Sequence, residues 1–235
     1  MKKIVFAVNI LVTLLSACAT DTPLLSQEEL ENKLGGKTIV NKNVSESASY
    51  LPITTNGFWM YSVEGNFLTS TSLKMQSTGQ KVLIGDYEYD ELESSVLGAA
   101  YHRSEDGKHY GINFLLLPGT TGSNQQPVLM LDEKLDIGDS WSVTPDSTSA
   151  QYYSYEFSIE DKGLLKSVKD SYYDKVIQVK VKSIIHTSSN GDLEAGVENL
   201  FFAKGVGLIS VEKDYSEAGT GMIQLIDNNI LSGSF

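Results

Sequence analysis

The clearest pattern in the chain is an alternation of apolar and polar residues with a period of two, which begins near residue 51. Such alternation is typical of half-buried β-strands, and Gly, Asn, Asp and Ser separate the runs as turn residues do. No stretch after residue 40 carries the apolar stripe of a long helix. The sequence therefore predicts a mainly β fold of antiparallel strands. The predicted strands are 58–63, 81–84, 111–117, 153–159, 175–182, 198–203, 206–212 and 222–226.

Turn residues predict how two pairs of strands align. Asp106-Gly107 and Asn190-Gly191 are both dipeptides that favour two-residue hairpin turns. The second turn aligns Ser189 with Asp192 and Val179 with Phe202. This register keeps the apolar residues of both strands on one face, as a sheet with one buried face requires.

The first eighteen residues have the layout of a secretory signal. Lys2-Lys3 give a positive start, and residues 4–15 form an apolar run interrupted only by Asn9 and Thr13. The run is too short to span a bilayer, which takes about 20 apolar residues. We therefore predict that residues 1–17 are a signal peptide that is cleaved off.

Leu15-Ser16-Ala17-Cys18 resembles the lipobox of bacterial lipoproteins at all four positions. The resemblance implies cleavage after Ala17, a lipid on the Cys18 sulfur, and a membrane anchor. In the lipoproteins of two-membrane bacteria an Asp after the cysteine often marks retention in the inner membrane, and Ala19 stands here, which favours the outer membrane. The resemblance leaves open whether the domain faces the periplasm or the cell surface. The alternative is an ordinary secretory signal with a chance cysteine.

Between the lipobox and the first strand the composition indicates a tether. Ser26 and Glu29 fit a capping box, and Gly35-Gly36 can end the helix that it starts. Residues 37–50 are rich in Asn, Ser and Lys, as linkers are. The predicted organisation is a signal peptide over 1–17, a lipidated tether over 18–49 with a short helix over 26–34, and a single β domain over 50–235.

A short pattern recurs in which an apolar pair and a glycine precede a tryptophan, at residues 51–59 and again at 135–141. With the Gly-x-Gly segment within residues 201–209, these motifs make the domain similar to a loose group of secreted bacterial β proteins without an assigned activity. The similarity implies a strongly curved sheet, an open β-barrel or a half-barrel, in outline like those of lipoprotein carriers. We expect Trp59 and Trp141 to be core anchors beside their glycine-containing turns.

Charge and cysteine content limit the partners. Loss of Lys2 and Lys3 with the leader takes the formal net charge from −12 to −14. Such a surface repels nucleic acid, so we expect no nucleic-acid partner. The alternative interpretation of the acidic charge is solubility alone. Cys18 is the only cysteine, so the domain has no internal disulfide.

No catalytic motif stands out in the sequence. The chain has three histidines, and it contains neither a Gly-x-Ser-x-Gly elbow nor a His-Glu-x-x-His pair. Under the lipoprotein interpretation the only thiol carries lipid. We therefore predict no enzyme activity, no catalytic residue and no cofactor. Sequence motifs do not reveal a catalytic site whose residues are far apart in the chain and meet only in the fold.

His102 and His109 are candidate metal ligands. The turn at Asp106-Gly107 pairs Glu105 with Lys108, which places both histidines on one face as diagonal neighbours roughly 7–8 Å apart. Two imidazoles on adjacent strands can share a zinc or copper ion. The alternative is a solvated hairpin tip that happens to contain two histidines. Because no third soft ligand is near, we predict weak metal binding or none.

Two acidic runs and a group of tyrosines are further candidates. Residues 86–91 alternate carboxylates with tyrosines, and residues 132–139 carry four carboxylates, but calcium loops curl their ligands around the ion. A solvated acidic edge is the favoured interpretation. Tyrosine has an apolar body and a polar tip, which suits protein or glycan surfaces, although core packing is the alternative. The candidate tyrosines are Tyr152, Tyr153, Tyr155, Tyr172 and Tyr173.

The sequence leaves three functions open. The favoured one is a membrane-anchored envelope lipoprotein with a non-enzymatic binding role, in which the ligand is a protein, a glycan or an acyl chain. The alternative is a structural or assembly scaffold of an envelope complex without a ligand pocket. A hydrolytic enzyme is the third. The concave face of the sheet distinguishes the binding role from the scaffold role. An open face favours a ligand, and a face filled by side chains favours a scaffold.

Overall fold

A computed structural model describes residues 38–65, 70–114, 126–145, 151–188, 191–215 and 219–230, all within one compact unit, Lys37–Phe235. These residues contain no α-helix, and therefore no helix long and apolar enough to cross a bilayer. The predicted mainly β fold is confirmed, whereas the predicted helix over 26–34 and Cys18 lie outside the described residues. The strands are β1 Phe58–Gly65, β2 Ser72–Ile84, β3 Tyr87–Ser94, β4 Gly98–Glu105, β5 Lys108–Ile112, β6 Val128–Asp132, β7 Ser140–Val143, β8 Gln151–Val168, β9 Ser171–Thr187, β10 Gly191–Ala203, β11 Gly207–Tyr215 and β12 Gly219–Asn228.

These strands form one antiparallel sheet that curves into a nearly closed barrel, in the order β6-β5-β4-β3-β2-β1-β12-β11-β10-β9-β8-β7. The sheet consists of two meanders, β1 to β6 and β7 to β12, which join where β1 pairs with β12. The two edge strands, β6 and β7, are consecutive in the chain. Because the strands alternate in direction, the turns after β2, β4, β6, β8 and β10 lie at one end of the barrel, together with the start of β1. We call this the β1-start end.

Alternation along β8 and β9 shows how the sheet separates an inner from an outer face. Phe157 and Ile159 point inwards and are fully buried, whereas Glu156 beside them is exposed. Val181 and Val179 of β9 lie directly opposite the two buried residues and are buried with them. Burial of such a side chain contributes about 1.5–3 kcal/mol, so the inward rows of these long strands supply much of the core.

The β4–β5 hairpin has the predicted register, with Glu105 opposite Lys108. Both residues of the Asp106-Gly107 turn have positive φ, 52° and 80°. A two-residue turn of this kind requires left-handed backbone at both positions, which Asp and Gly tolerate. The prediction from the turn dipeptide is therefore confirmed.

The β9–β10 hairpin does not have the predicted register. Thr187 pairs with Gly191, so the loop is longer than a two-residue turn, and a bulge in β10 then changes the pairing by one residue. As a result Val179 lies opposite Leu200 instead of Phe202. The net displacement is two residues, and an even displacement keeps the apolar side chains on the same face.

The barrel is held together across its open seam by side chains that reach between β6 and β7. Trp141 Nε1 donates to the Leu129 carbonyl at 2.9 Å, and the ring stacks on Phe157 with centroids 5.1 Å apart. Lys162 Nζ donates to the Glu133 carbonyl in the connecting turn at 3.0 Å. Single side-chain contacts thus replace a ladder of backbone hydrogen bonds at this position.

Trp59 is the core anchor that the sequence predicts. Its side chain is 2% exposed, and its Nε1 donates to the Val206 carbonyl at 2.7 Å. A Cβ on the neighbouring Gly207 would stand 3.0 Å from that nitrogen, so the glycine lets the ring approach. Trp141 differs from the prediction because it is only half-buried, at the seam.

Residues 38–49, which the composition places in the tether, pack against the β1-start end of the barrel. Ile39 is buried there. The Asn41 side chain donates to the carbonyls of Asp174 and Lys204, at 2.8 and 3.0 Å, and accepts from the Asp174 N–H at 2.8 Å. An asparagine that bonds to a distant backbone looks the same in sequence as one that faces water. The domain boundary at residue 50 stays a prediction about independent folding.

Candidate functional site

The interior of the barrel is filled by side chains. Tyr61, Met75 and Phe114 meet there, and the cavity left among the residues around them is about 20 Å³, enough for about one water molecule. Glu198 and Lys213 form a buried ion pair 3.0 Å apart at this cavity. In the described part of the chain the concave face is therefore filled, and the cavity is too small for an acyl chain.

His102 and His109 lie side by side on the inner face. His102 Nε2 and His109 Nδ1 are 3.2 Å apart, and the rings stack with centroids separated by 5.5 Å. Their exposed fractions are 1% and 0%. The shared face is as predicted, but the solvated hairpin tip is wrong, because this face turns into the core and Phe114 packs against His102 at 5.8 Å.

Glu133 extends the two histidines into a hydrogen-bonded chain. Its Oε1 lies 2.6 Å from His109 Nε2 and also accepts the Tyr50 N–H at 3.1 Å. A carboxylate only accepts hydrogen bonds, so His109 Nε2 carries the proton, and a neutral His109 can then accept from His102 Nε2–H. We call Glu133, His109 and His102 the buried histidine chain.

Burial sets the charge at the two ends of the buried histidine chain. Desolvation, with repulsion from His109 and Lys81, lowers the pKa of His102 to about 3, so this ring is neutral near pH 7. Burial alone raises the pKa of Glu133, but the hydrogen bonds from His109 and the Tyr50 N–H outweigh that effect and leave the pKa below its usual value. The buried histidine chain thus begins at the carboxylate of Glu133 and ends at the neutral imidazole of His102.

The arrangement bears on the predicted metal site. The described residues contain no group of three His, Cys, Asp or Glu side chains placed to hold an ion. The nitrogens of His102 and His109 that face each other are engaged in a hydrogen bond. His102 Nδ1 is buried without a hydrogen-bond partner among the described residues. Weak metal binding or none at this pair stays a prediction, which a zinc titration would test.

The acidic run at residues 86–91 lies mostly on β3. Lys81 Nζ lies 3.0 Å from Asp90 and 3.5 Å from Glu88. The prediction of an acidic sheet edge is wrong in one respect, because β3 lies between β2 and β4 in the sheet. The run therefore pairs with a neighbouring strand instead of guarding an edge.

The five candidate tyrosines do not form one surface. Tyr155 and Tyr173 are buried in the core. Tyr152 and Tyr153 stand near the start of β8, whereas Tyr172 pairs with β8 near its other end, roughly 40 Å away at about 3.3 Å per residue. Binding through the half-buried Tyr152, Tyr153 and Tyr172 stays a prediction.

The third histidine, His186, lies in a second hydrogen-bonded chain, on the outer face and at the end of the barrel opposite the β1-start end. Ser154 Oγ is 2.7 Å from His186 Nε2, and His186 Nδ1 is 2.8 Å from Asp192 Oδ1. Tyr152 stacks on the imidazole with centroids 4.5 Å apart. We call Ser154, His186 and Asp192 the surface histidine chain. Sequence reasoning missed it, because only strand register brings the three together.

A cleft of about 530 Å³ lies where residues 38–54 cross the β1-start end. Val40, Val44 and Ile230 contribute apolar walls. The Gly205 N–H donates to the Ser49 carbonyl at 2.8 Å and ties the segment to the barrel. A Cβ on Gly205 would stand 2.5 Å from the Val44 side chain, so glycine permits this approach. The cleft has the volume that ligand sites usually have, about 300–1,000 Å³.

Comparison with known proteins gives similarities of fold alone. No protein family matches the chain, and no curated protein matches its sequence. Among solved structures it is similar to a Bacteroides fragilis protein named "putative exported protein with YmcC-like fold", with a TM-score of 0.47 and 12% identity over 77% of this chain and 99% of that one. A "putative lipoprotein" of Parabacteroides distasonis gives a TM-score of 0.44 and 12% identity over 78% of this chain and 100% of that one. Identity this low transfers no function.

Proposed function

We propose that the protein is a membrane-anchored envelope lipoprotein that carries its lipid on Cys18. The complete lipobox and the lack of any second cysteine support the proposal. Two or three acyl chains at one terminus give a stable anchor, where one chain would be marginal. Ala19 favours the outer membrane of a two-membrane bacterium as the location.

The anchor is tested by Cys18→Ser. We expect this variant to take up no clickable palmitate analogue and to leave the membrane fraction. Ser16→Ala is the matched control, because the lipobox pattern accepts either residue there and labelling should persist. Undiminished labelling of Cys18→Ser would contradict the proposal.

The domain also has, in this proposal, a non-enzymatic binding role at the β1-start end. The observation that carries it is the cleft of about 530 Å³ between residues 38–54 and the barrel. The filled barrel interior, by contrast, leaves about 20 Å³. Among the described residues, the cleft therefore offers a ligand more room than this interior cavity does.

An acyl chain is the ligand that the cleft favours over a glycan or a protein. Its walls include Val40, Val44 and Ile230, while Lys42 and Asn43 offer polar groups. An apolar lining with a few polar groups suits an amphiphile with a small head. The twenty residues from Cys18 to Thr38 span at most about 70 Å, so an anchored domain has membrane lipids within reach.

Binding is tested with cis-parinaric acid, a fluorescent fatty acid, and residues 19–235 without lipid. Ala48→Trp places an indole in the cleft and should weaken binding at least tenfold. Ala99→Trp, on an exposed position of β4, is the matched control and should bind like the parent. Absence of binding by the parent, or equal binding by both variants, would contradict an acyl ligand in the cleft.

A scaffold role is the second candidate, and one cluster on the outer face favours it. The Arg103 guanidinium lies 3.9 Å from the Tyr87 ring centroid and 4.3 Å from that of Tyr110. Tyr87 is 52% exposed. Tyrosine and arginine are the residues that most often dominate protein interfaces. Tyr87→Ala should then lose a partner in affinity capture from solubilised envelopes and keep its melting temperature. An unchanged set of captured proteins would count against this role.

A further inference from the structure

Three neighbouring strands hold the surface histidine chain in line. His186 on β9 lies opposite Tyr152 of β8 on one side and opposite Asp192 of β10 on the other. Ser154 lies opposite Ile184, so it is a diagonal neighbour of His186 on the same face. Strands that pair along their whole length fix these positions more firmly than loops do.

The hydrogen bonds determine where the protons are. An ionised Asp192 can only accept, so His186 Nδ1 carries a proton and donates it at 2.8 Å. A neutral His186 then presents a lone pair at Nε2, and the Ser154 hydroxyl donates to it at 2.7 Å. A carboxylate that orients an imidazole, and an imidazole that accepts a serine proton, are the parts of an activated serine nucleophile.

The imidazole is held in place and still reachable. Tyr152 stacks on it with an interplanar angle of 18°, which restricts rotation of the ring. The His186 side chain is 21% exposed and that of Asp192 is 68% exposed. The two imidazoles of the buried histidine chain, by contrast, are 1% and 0% exposed.

A polar groove of about 360 Å³ lies on the same outer face, and Trp141, Glu156 and Lys182 line it. Glu156 is two residues from Ser154 along β8, so the groove ends beside the serine. An aromatic edge with hydroxyl, carboxylate and ammonium groups suits a hydroxyl-rich alcohol such as a sugar. Ile184, directly opposite Ser154, gives apolar contact for a short acyl group.

We propose that Ser154 is the nucleophile of an esterase site for short acyl esters of hydroxyl-rich alcohols. The Ser154 oxygen forms a bond to the ester carbonyl carbon while its proton passes to His186 Nε2. The bond to the alcohol oxygen then breaks, and His186 returns the proton to that oxygen. Water then attacks the acyl carbon while one of its protons passes to His186 Nε2. The bond from that carbon to the Ser154 oxygen breaks, His186 returns the proton to this oxygen, and a carboxylic acid is released. Lys182, the other diagonal neighbour of Ser154, is the nearest cation in register to stabilise the oxyanion, and it would exchange its ion pair with Glu194, 3.0 Å away, for that contact.

The activity is independent of ligand binding in the cleft, because the two sites lie at opposite ends of the barrel. The test uses the full mature protein in detergent, a fluorophosphonate probe and 4-nitrophenyl acetate. We expect the probe to label Ser154, as located by mass spectrometry, and Ser154→Ala and His186→Ala to lose labelling. Hydrolysis should fall at least about 100-fold in both variants.

Ser62→Ala is the matched control, since Ser62 lies on the outer face of β1, away from the groove, and bonds to the Gln224 carbonyl instead of a histidine. It should label and hydrolyse like the parent. Asp192→Asn should reduce the rate of hydrolysis without abolishing labelling. A parent protein that the probe does not label, or labelling that survives Ser154→Ala, would overturn the proposal.

Discussion

The two histidine chains of this barrel are built from similar parts in opposite surroundings. In the buried chain, Glu133 orients His109, which contacts His102 in the core near the β1-start end. In the surface chain, Asp192 orients His186, which contacts Ser154 on the outer face near the other end. Each chain contains a carboxylate that is hydrogen-bonded to an imidazole, at 2.6 Å in the buried chain and at 2.8 Å in the surface chain.

Burial makes the difference between them. A buried donor or acceptor that loses its partner costs about 1–3 kcal/mol, and breaking a buried charged pair costs about 3–5 kcal/mol. Exposed pairs contribute about 0–1 kcal/mol, because water replaces a lost partner. The same hydrogen bonds therefore stabilise the fold when they are inside, and outside they leave the side chains available for chemistry.

The largest effect is expected when the barrel loses the segment that packs against its β1-start end. Residues 50–235 lack the buried Ile39 and the hydrogen bonds of Asn41, which together contribute about 5 kcal/mol. We expect this form to fold as a β domain with a melting temperature about 10–20 °C below that of residues 37–235. Far-ultraviolet circular dichroism during heating measures both, and equal melting temperatures would show that the segment is only a tether.

His109→Ala and His186→Ala compare the two chains directly. The first leaves Glu133 with the Tyr50 N–H alone, removes the partner of His102 Nε2 and opens a cavity, so it should cost about 3 kcal/mol. The second should cost less than about 1 kcal/mol. Urea unfolding at pH 7 gives both values. Equal losses of unfolding free energy would show that the buried histidine contributes no more to stability than the exposed one.

The pH dependence of stability should belong to the buried chain. The pKa of His102 is lowered from 6.5 to about 3 by folding. Below pH 6.5, His102 in the unfolded protein therefore binds a proton that His102 in the folded protein does not bind. The free energy of unfolding decreases as the pH falls. Between pH 6.5 and 4.5 this amounts to about 2 kcal/mol. Glu133, whose pKa is lowered, adds to the loss only below its unfolded value of 4.5.

A variant isolates the His102 contribution. Unfolding free energies of His102→Gln and the parent, measured at pH 6.5 and 4.5, should show a smaller decrease for the variant. Ser62→Ala, which changes no titratable group, is the control and should decrease like the parent. Parallel decreases in the parent and His102→Gln would mean that other groups cause the acid sensitivity.

The smallest difference is expected for the carboxylates. Glu133→Gln keeps an oxygen that can accept from His109 and from the Tyr50 N–H but loses the charge, so it should cost about 1 kcal/mol at pH 7. Asp192→Asn should cost less than about 0.5 kcal/mol. If Asp192→Asn is the more destabilising change in chemical unfolding, burial does not determine how much each carboxylate contributes to stability.

Sequence patterns predicted the strands whose two faces differ in polarity and missed those that lack this signal. The edge strands β6 and β7 have five and four residues, too few for a period to emerge. In β3 carboxylates occupy much of the run. Composition also failed for Asn41, whose partners are backbone groups 133 and 163 residues away.

The two histidine chains show the same limit at the candidate sites. The Asp106-Gly107 turn has the expected length, so the shared face of His102 and His109 followed from sequence, but Glu133 reaches His109 from the next turn. The longer loop before Gly191 places Asp192 opposite His186. A two-residue turn would have placed it opposite Ser189, so the surface histidine chain depends on a loop length that the dipeptide does not reveal.

The pairing of β1 with β12 has a consequence for how the chain reaches its native state. Gly65 and Gly221 are paired although more than 150 residues separate them. During synthesis or passage through a membrane pore the amino terminus emerges first, so β1 to β6 can assemble long before β12 exists. Until then β1 and β11 each present unpaired N–H and C=O groups that can recruit another chain. A product that ends before Gly219 would keep two half-sheets with four open edges. Only a chain that contains β12 can close the barrel, because β12 is the strand that pairs with both β1 and β11.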